Sequence, residues 1–299
     1  MRMLLTPAIT PLLLAGGLAL PLLAALSRPT AAAPAAPAAT PPASSSGGGQ
    51  AFPFPVTEKT LPNGLRVYVV GYDSPGLVAF YSVVRTGSRN EVEAGKSGFA
   101  HFFEHMMFRG TKNVPNYDIP LQETGGQSNA FTTEDMTVYF ETVPTEYLRR
   151  ALYLEAERLA FLPSALDQEK FDTEREVVKN ERRQSYENKP YGLAEEAILA
   201  GVFPKGHPYS WSVIGSMADL DRASLKDLKQ FFLNHYHPGN AALCLAGDFD
   251  PAEARRWIAD YFGPLAPGKT PDRPKAEAPP ARADRMVQAD RVSLPRVYW

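Results

Sequence analysis

The sequence predicts an α+β domain, an antiparallel-rich sheet covered by helices. Three observations predict it. Strand-like runs of alternating apolar residues come in blocks, helical patterns are grouped between those blocks, and Ala/Pro/Ser/Gly-rich stretches flank the patterned region. Residues 65–70 and 77–85 read as the opening strands. The run 99–108, Phe-Ala-His-Phe-Phe-Glu-His-Met-Met-Phe, is hydrophobic nearly all round and reads as a core helix. Residues 130–143 follow as a strand, with Phe131, Thr133, Asp135, Thr137 and Tyr139 alternating with their neighbours. Helices are expected at 145–161, 164–188, 192–202 and 224–234, then a strand at 241–246 and a helix from Pro251. In the longest, Ser164 with Asp167 reads as a capping box and Pro190 as the stop.

The core helix carries three ionisable side chains. Residues three and four apart share a helix face, so His101, Glu104 and His105 converge on one side. Burying even a neutral polar group without a partner costs roughly 2–7 kcal/mol. A divalent metal removes the conflict: two imidazoles one turn apart ligate it, and the carboxylate between them holds a water. The order His-x-x-Glu-His is the signature of the inverzincins. The plain alternative is a core histidine pair satisfied by backbone carbonyls.

Two histidines do not complete a zinc site, which normally takes three protein ligands. Along 164–188, Phe171, Glu174, Val177, Val178 and Glu181 gather on one face, while Glu169, Glu176, Lys179, Arg183 and Glu187 point away. Glutamates on a buried face usually meet a cation. For Glu174 that cation could be Lys170, and for Glu181 a nearby arginine. With the histidine motif present, Glu181 is the natural third ligand.

His101-x-x-Glu104-His105 followed by Glu174 and Glu181 resembles the pitrilysin-type zinc metallopeptidases, peptidase family M16, in their shorter, processing-peptidase-like bacterial branch. Leu61-Pro-Asn-Gly-Leu-Arg-Val, Asn129-Ala-Phe-Thr-Thr-Glu-Asp135, His207-Pro-Tyr and Tyr236-His-Pro-Gly-Asn-Ala fit as well, so the resemblance covers about 55–263. It implies that His101, His105 and Glu181 bind one Zn2+ per chain, that Glu104 is the general base activating the zinc-bound water, and that Glu174 orients a ligand histidine. It also implies that Asn129 and Ala130 belong to a strand that pairs with an extended substrate backbone. For Asn129 the alternative is a turn residue after Gly125-Gly126.

The remaining chain sets the context. Arg2 and an apolar stretch at 12–26, interrupted by glycines and Pro21, read as a secretory signal peptide within 1–33. Residues 34–50 read as an Ala/Pro/Ser/Gly-rich tether that cannot bury a core. The zinc peptidase domain is placed at 51–263, a Pro-rich linker at 264–290, and the start of a second half at 291–299. There Arg-Val-Ser-Leu-Pro-Arg-Val-Tyr-Trp reads as a strand with nothing to pair with. A formal charge of −2 gives no case for nucleic-acid binding, and the single Cys244 excludes an internal disulfide. His235 and His237 stand at a helix end before Pro238 and read as structural; His207 reads as a turn residue, Phe203 and Trp211 as core.

The expected protein is therefore an exported, periplasmic or secreted zinc metalloendopeptidase half that cleaves peptides bound in extended form. Its partners are a peptide and a second half or subunit of the same family, with no nucleic acid and no membrane beyond the signal peptide. The alternative is a non-catalytic or partner-dependent subunit, a peptide-binding half of a two-chain complex.

Overall fold

The period-two burial expected of a one-sided sheet is met in full: in β3 (Leu77–Val84) and β6 (Ala241–Gly247) every second residue is buried. The computed structural model describes residues 54–279 and 285–298. With β1 (Thr57–Thr60), β2 (Arg66–Gly71), β4 (Gln127–Thr132) and β5 (Thr137–Pro144) these strands make one mixed sheet in the order β1-β2-β6-β3-β5-β4. The β2–β6 contact is parallel and the other pairings are antiparallel. The fold is α+β, as the sequence predicts.

Helices α1 (Phe99–Met106), α2 (Asp118–Gln122), α3 (Leu148–Ala165), α4 (Gln168–Arg182), α5 (Ala194–Val202), α6 (Met217–Arg222), α7 (Leu225–His235) and α8 (Pro251–Phe262) complete the described elements. α3 and α8 pack on each other and on the sheet; their core includes Val78, Phe80, Leu152, Leu245 and Ile258. α1 lies between β4 and β5 on one side and α4 and α7 on the other. Phe99, Phe102, Phe103 and Met106 are buried there against Phe171 and Phe232, which is why this helix is apolar nearly all round.

The start of α1 is fixed by an acid from outside the helix. Glu91 Oε2 accepts from Gly98 N and Oε1 from Ala100 N, both at 2.7 Å. These are N–H groups that a helix leaves unpaired at its start, and the anion also meets the positive end of the dipole. Burial pushes the Glu91 carboxyl up while the two backbone bonds oppose it. Gly98 has φ +89°, and a Cβ there would stand 2.7 Å from Ile214 O, so only glycine fits.

Several expectations need correction. The stretch 130–143 is two strands around a turn, because Thr133 N–H donates to Met136 O and closes a tight reversal. The alternation read from Phe131 to Tyr139 crosses that turn: Phe131 is exposed while Thr137 and Tyr139 are buried. Ser164 belongs to the end of α3, where its hydroxyl donates to Phe161 O, and Asp167 alone caps α4 through Lys170 N at 2.8 Å. Val177 is exposed, so the buried stripe of α4 is Phe171, Glu174, Val178 and Arg182. After Arg182 the backbone passes into a π-helical turn, Arg183–Glu187. The edge strand β1 and the short helices α2 and α6 were not expected. Residues 291–298 form no strand; Tyr191 OH donates to Leu294 O at 2.6 Å, and Leu294, Val297 and Tyr298 are exposed. The proposed signal peptide, tether and residue 299 lie outside the described residues.

One charged group is buried in the core beneath the sheet. Arg158 on α3 pairs with Glu155 and lies 3.4 Å from Glu141 Oε1, each residue at most 1% exposed. Its guanidinium sits 4.2 Å from the ring centre of Tyr117 and 4.5 Å from that of Tyr139. Tyr117 OH donates to Glu141 at 2.6 Å. Burial, then the Glu155 charge, pushes Glu141 up to about 8, against the pull of Arg158 and Tyr117.

Candidate metal centre and active site

α1 presents His101 and His105 one turn apart, and α4 crosses it so that Glu181 faces both. His101 Nε2 is 3.7 Å and His105 Nε2 3.3 Å from the same oxygen, Glu181 Oε2. One donor atom from each residue lies within 4.8 Å of the other two, and no other such trio occurs among the described residues. These separations are at or beyond the long edge of hydrogen bonding, roughly 3.2 Å. They suit a small cation instead: donors about 2.0–2.1 Å from a tetrahedral zinc stand about 3.3 Å apart. The donor set fits zinc.

The protonation states fit too. Burial, reinforced by neighbouring His105, pulls His101 down to about 4, so its imidazole is neutral at neutral pH. Contact with His105 holds Glu181 below the usual carboxylate range against its partial burial. His105 Nδ1 is 2.9 Å from Glu174 Oε1, which leaves Nε2 to face the cluster. Glu174, 2% exposed, also pairs with Arg109, one turn beyond His105. The ion pair with Lys170 does not form; that ammonium donates to Ala165 O.

Glu104 lies on the same helix and accepts from Thr132 Oγ1 at 2.5 Å. Burial raises its pKa, and the Thr132 hydrogen bond opposes the rise. Asn129 and Ala130 stand on β4, which pairs with β5 and is an outer strand of the sheet. Asn129 is therefore a strand residue and not a turn residue; its Oδ1 accepts from Ala130 N at 2.8 Å. His101, Glu104, His105, Asn129, Ala130 and Glu181 line one open cleft. All seven residues singled out in the sequence thus meet within this site or directly behind it. His235 and His237 form no second cluster: His235 Nδ1 is 3.2 Å from Thr86 Oγ1.

Sequence reasoning missed Thr132, Arg109 and Glu91. Thr132 was legible as the residue two beyond Ala130, on the same strand face, and Arg109 as the residue four beyond His105. Nothing local marks Glu91 as a cap.

Residues 77–211 match the family model described as Insulinase (Peptidase family M16), and residues 222–299 that of the Peptidase M16 inactive domain. The second match begins at the end of α6 and takes in β6, a strand of the same sheet. The chain is 38% identical over 209 residues to the zinc protease PqqE of Helicobacter pylori, covering 69% of this chain and 46% of that protein. Its fold matches the crystal structure of a protease from Helicobacter pylori with a TM-score of 0.70 and 33% identity, covering 75% of this chain and 54% of that one. It matches the first half of the periplasmic protease PqqL from Escherichia coli with a TM-score of 0.67 and 26% identity, covering 75% and 49%. The chain spans about half the length of the curated relatives it matches.

Proposed function

Because this chain belongs to the insulinase-type peptidase family M16, we propose that it hydrolyses peptide bonds of extended peptides with a zinc ion held by His101, His105 and Glu181. The observation that carries this reading is the convergence of three donors on one point beside a buried glutamate. Bound there, zinc supplies an acidified water, with pKa near 7, and polarises the scissile carbonyl. Glu104 takes the proton from the attacking water and returns it to the leaving amine. Burial raises its pKa, which strengthens it as a proton acceptor. Glu174, fixed by Arg109, keeps the His105 ring turned with Nε2 toward the donors. The substrate lies as an added strand along β4, held by main-chain hydrogen bonds at Asn129 and Ala130, so side-chain preference is loose.

Action in the periplasm is part of the proposal. It is supported by the apolar N-terminal stretch and by the likeness to the periplasmic protease PqqL of Escherichia coli. No helix among the described residues is long and apolar enough to cross a membrane.

A second reading, in which the chain is a peptide-binding half and cleavage requires a second half, has its own support: the aligned stretch spans only about half the length of the relatives. One experiment separates the two. Cleavage of an unstructured reporter peptide by the purified chain is measured with zinc content, after chelation and after zinc is restored. Loss on chelation and recovery with zinc supports the first reading; one bound zinc without cleavage supports the second, and a chain that takes up no zinc refutes both.

Glu181→Gln tests the ligand set. Losing even a supporting partner of a metal ligand costs about 10–100-fold in affinity, and loss of a direct ligand should cost at least that. Competition with a chromogenic chelator reads the change; unaltered affinity would move the third ligand elsewhere.

A further inference from the structure

Thr132 donates to Glu104 at 2.5 Å, and with the carboxyl ionised the proton count around it admits only that arrangement. Its hydroxyl has one hydrogen and two acceptors in reach: Glu104 Oε2, and Thr137 Oγ1 at 3.4 Å. Thr137, fully buried, spends its own hydrogen on Thr86 O at 3.0 Å. The shorter contact to a carboxylate is the stronger one, so the Thr132 hydrogen goes to Glu104. Thr137 Oγ1 then stands as a fixed oxygen behind Thr132.

The position of Thr132 is set by the sheet. Thr132 and Thr137 are directly opposed in the β4–β5 ladder, immediately before the turn that joins the two strands. A β-branched side chain there has little χ1 freedom. Asn129 and Ala130 occupy the same strand three and two residues earlier. The base on α1 and the strand edge proposed to receive substrate are thus joined through one hydroxyl.

We infer that Thr132 is a positioning residue for Glu104, holding its carboxylate in register with the β4 edge. This rests on the reading of Glu104 as general base. The side chain of Thr132 reaches no metal donor, so its removal should leave zinc affinity alone while loosening the base.

The test compares wild type, Thr132→Val and Thr132→Ser, using the full chain. Three quantities are read: the 13C resonance of the Glu104 carboxyl carbon in the metal-free protein, zinc affinity, and, in the zinc-loaded protein, both kcat and KM for the reporter peptide and the affinity for acetohydroxamic acid. That probe occupies the metal and hydrogen-bonds the base carboxylate. Thr132→Val should move the Glu104 resonance, leave zinc affinity and KM unchanged, and lower kcat and hydroxamate affinity roughly 10–100-fold, as expected for losing a hydrogen bond to a charged group. Thr132→Ser should restore all of these to within a few-fold. An unmoved Glu104 resonance in Thr132→Val overturns the inference, as does a moved resonance with hydroxamate affinity and kcat at wild-type values. If zinc-loaded wild type neither cleaves nor binds the hydroxamate, the peptidase reading fails instead, and the resonance alone decides whether Thr132 fixes the carboxylate.

Discussion

Glu104→Gln is expected to keep its zinc and lose cleavage by about 10²–10⁴-fold, the contribution typical of a positioned general base. Gln matches Glu in shape, and its amide oxygen still accepts from Thr132, so the helix and the three donors should stay where they are. What is lost is the capacity to take up a proton. Zinc content and cleavage measured on one preparation separate the two effects. A variant that cleaves within a few-fold of wild type would refute the assigned base, and one that loses zinc would show that the carboxylate supports the metal instead.

The second large effect lies away from the chemistry. Arg158→Ala removes the cation from a core that also buries Glu155 and Glu141. The pair as a whole adds little net stability, because desolvating its members offsets their attraction. Removing one member is another matter, since Glu155 is left charged without a counter-ion and the Tyr117 and Tyr139 rings lose the group stacked between them. Breaking a buried pair costs about 3–5 kcal/mol. For a domain of this size that lowers Tm by roughly 6–20 °C. Replacing the set together (Arg158→Met, Glu155→Leu, Glu141→Leu) should recover most of the loss. Calorimetry on the single and triple variants decides it: an Arg158→Ala protein melting with wild type would mean that water reaches the site.

The parts of this molecule legible in the sequence are those where local chemistry and tertiary demand agree. His101, Glu104 and His105 could be placed because a charged face on an otherwise apolar helix contradicts burial unless something binds there, and α1 has that form. Glu174 was legible because an acid within an apolar stripe needs a partner, although that partner, Arg109, lies on a different element. The turn at 133–136 was not legible. Thr-Thr-Glu-Asp-Met holds no glycine or proline, and the reversal depends on the Thr133 backbone and hydroxyl meeting Met136 O. Val177 was misplaced since a helical stripe fixes a face only to within a residue, and the packing of α1 selected the Phe171–Glu174–Val178 line. Glu91 was invisible because a cap supplied from outside the helix leaves no mark on the helix's own sequence.

Sheet order has a consequence for how the protein comes into being. β6 lies between β2 and β3, yet it leaves the ribosome about 160–175 residues after them. Until Gly247 is made, β2 and β3 face each other across an empty slot with two unpaired inner edges, each open to a neighbouring chain. The helix bearing His101 and His105 packs on β4 and β5, which reach β6 only through β3. Completion of the sheet is thus a long-range closure, which slows folding and makes a nascent chain arrested before β6 a candidate for chaperone capture.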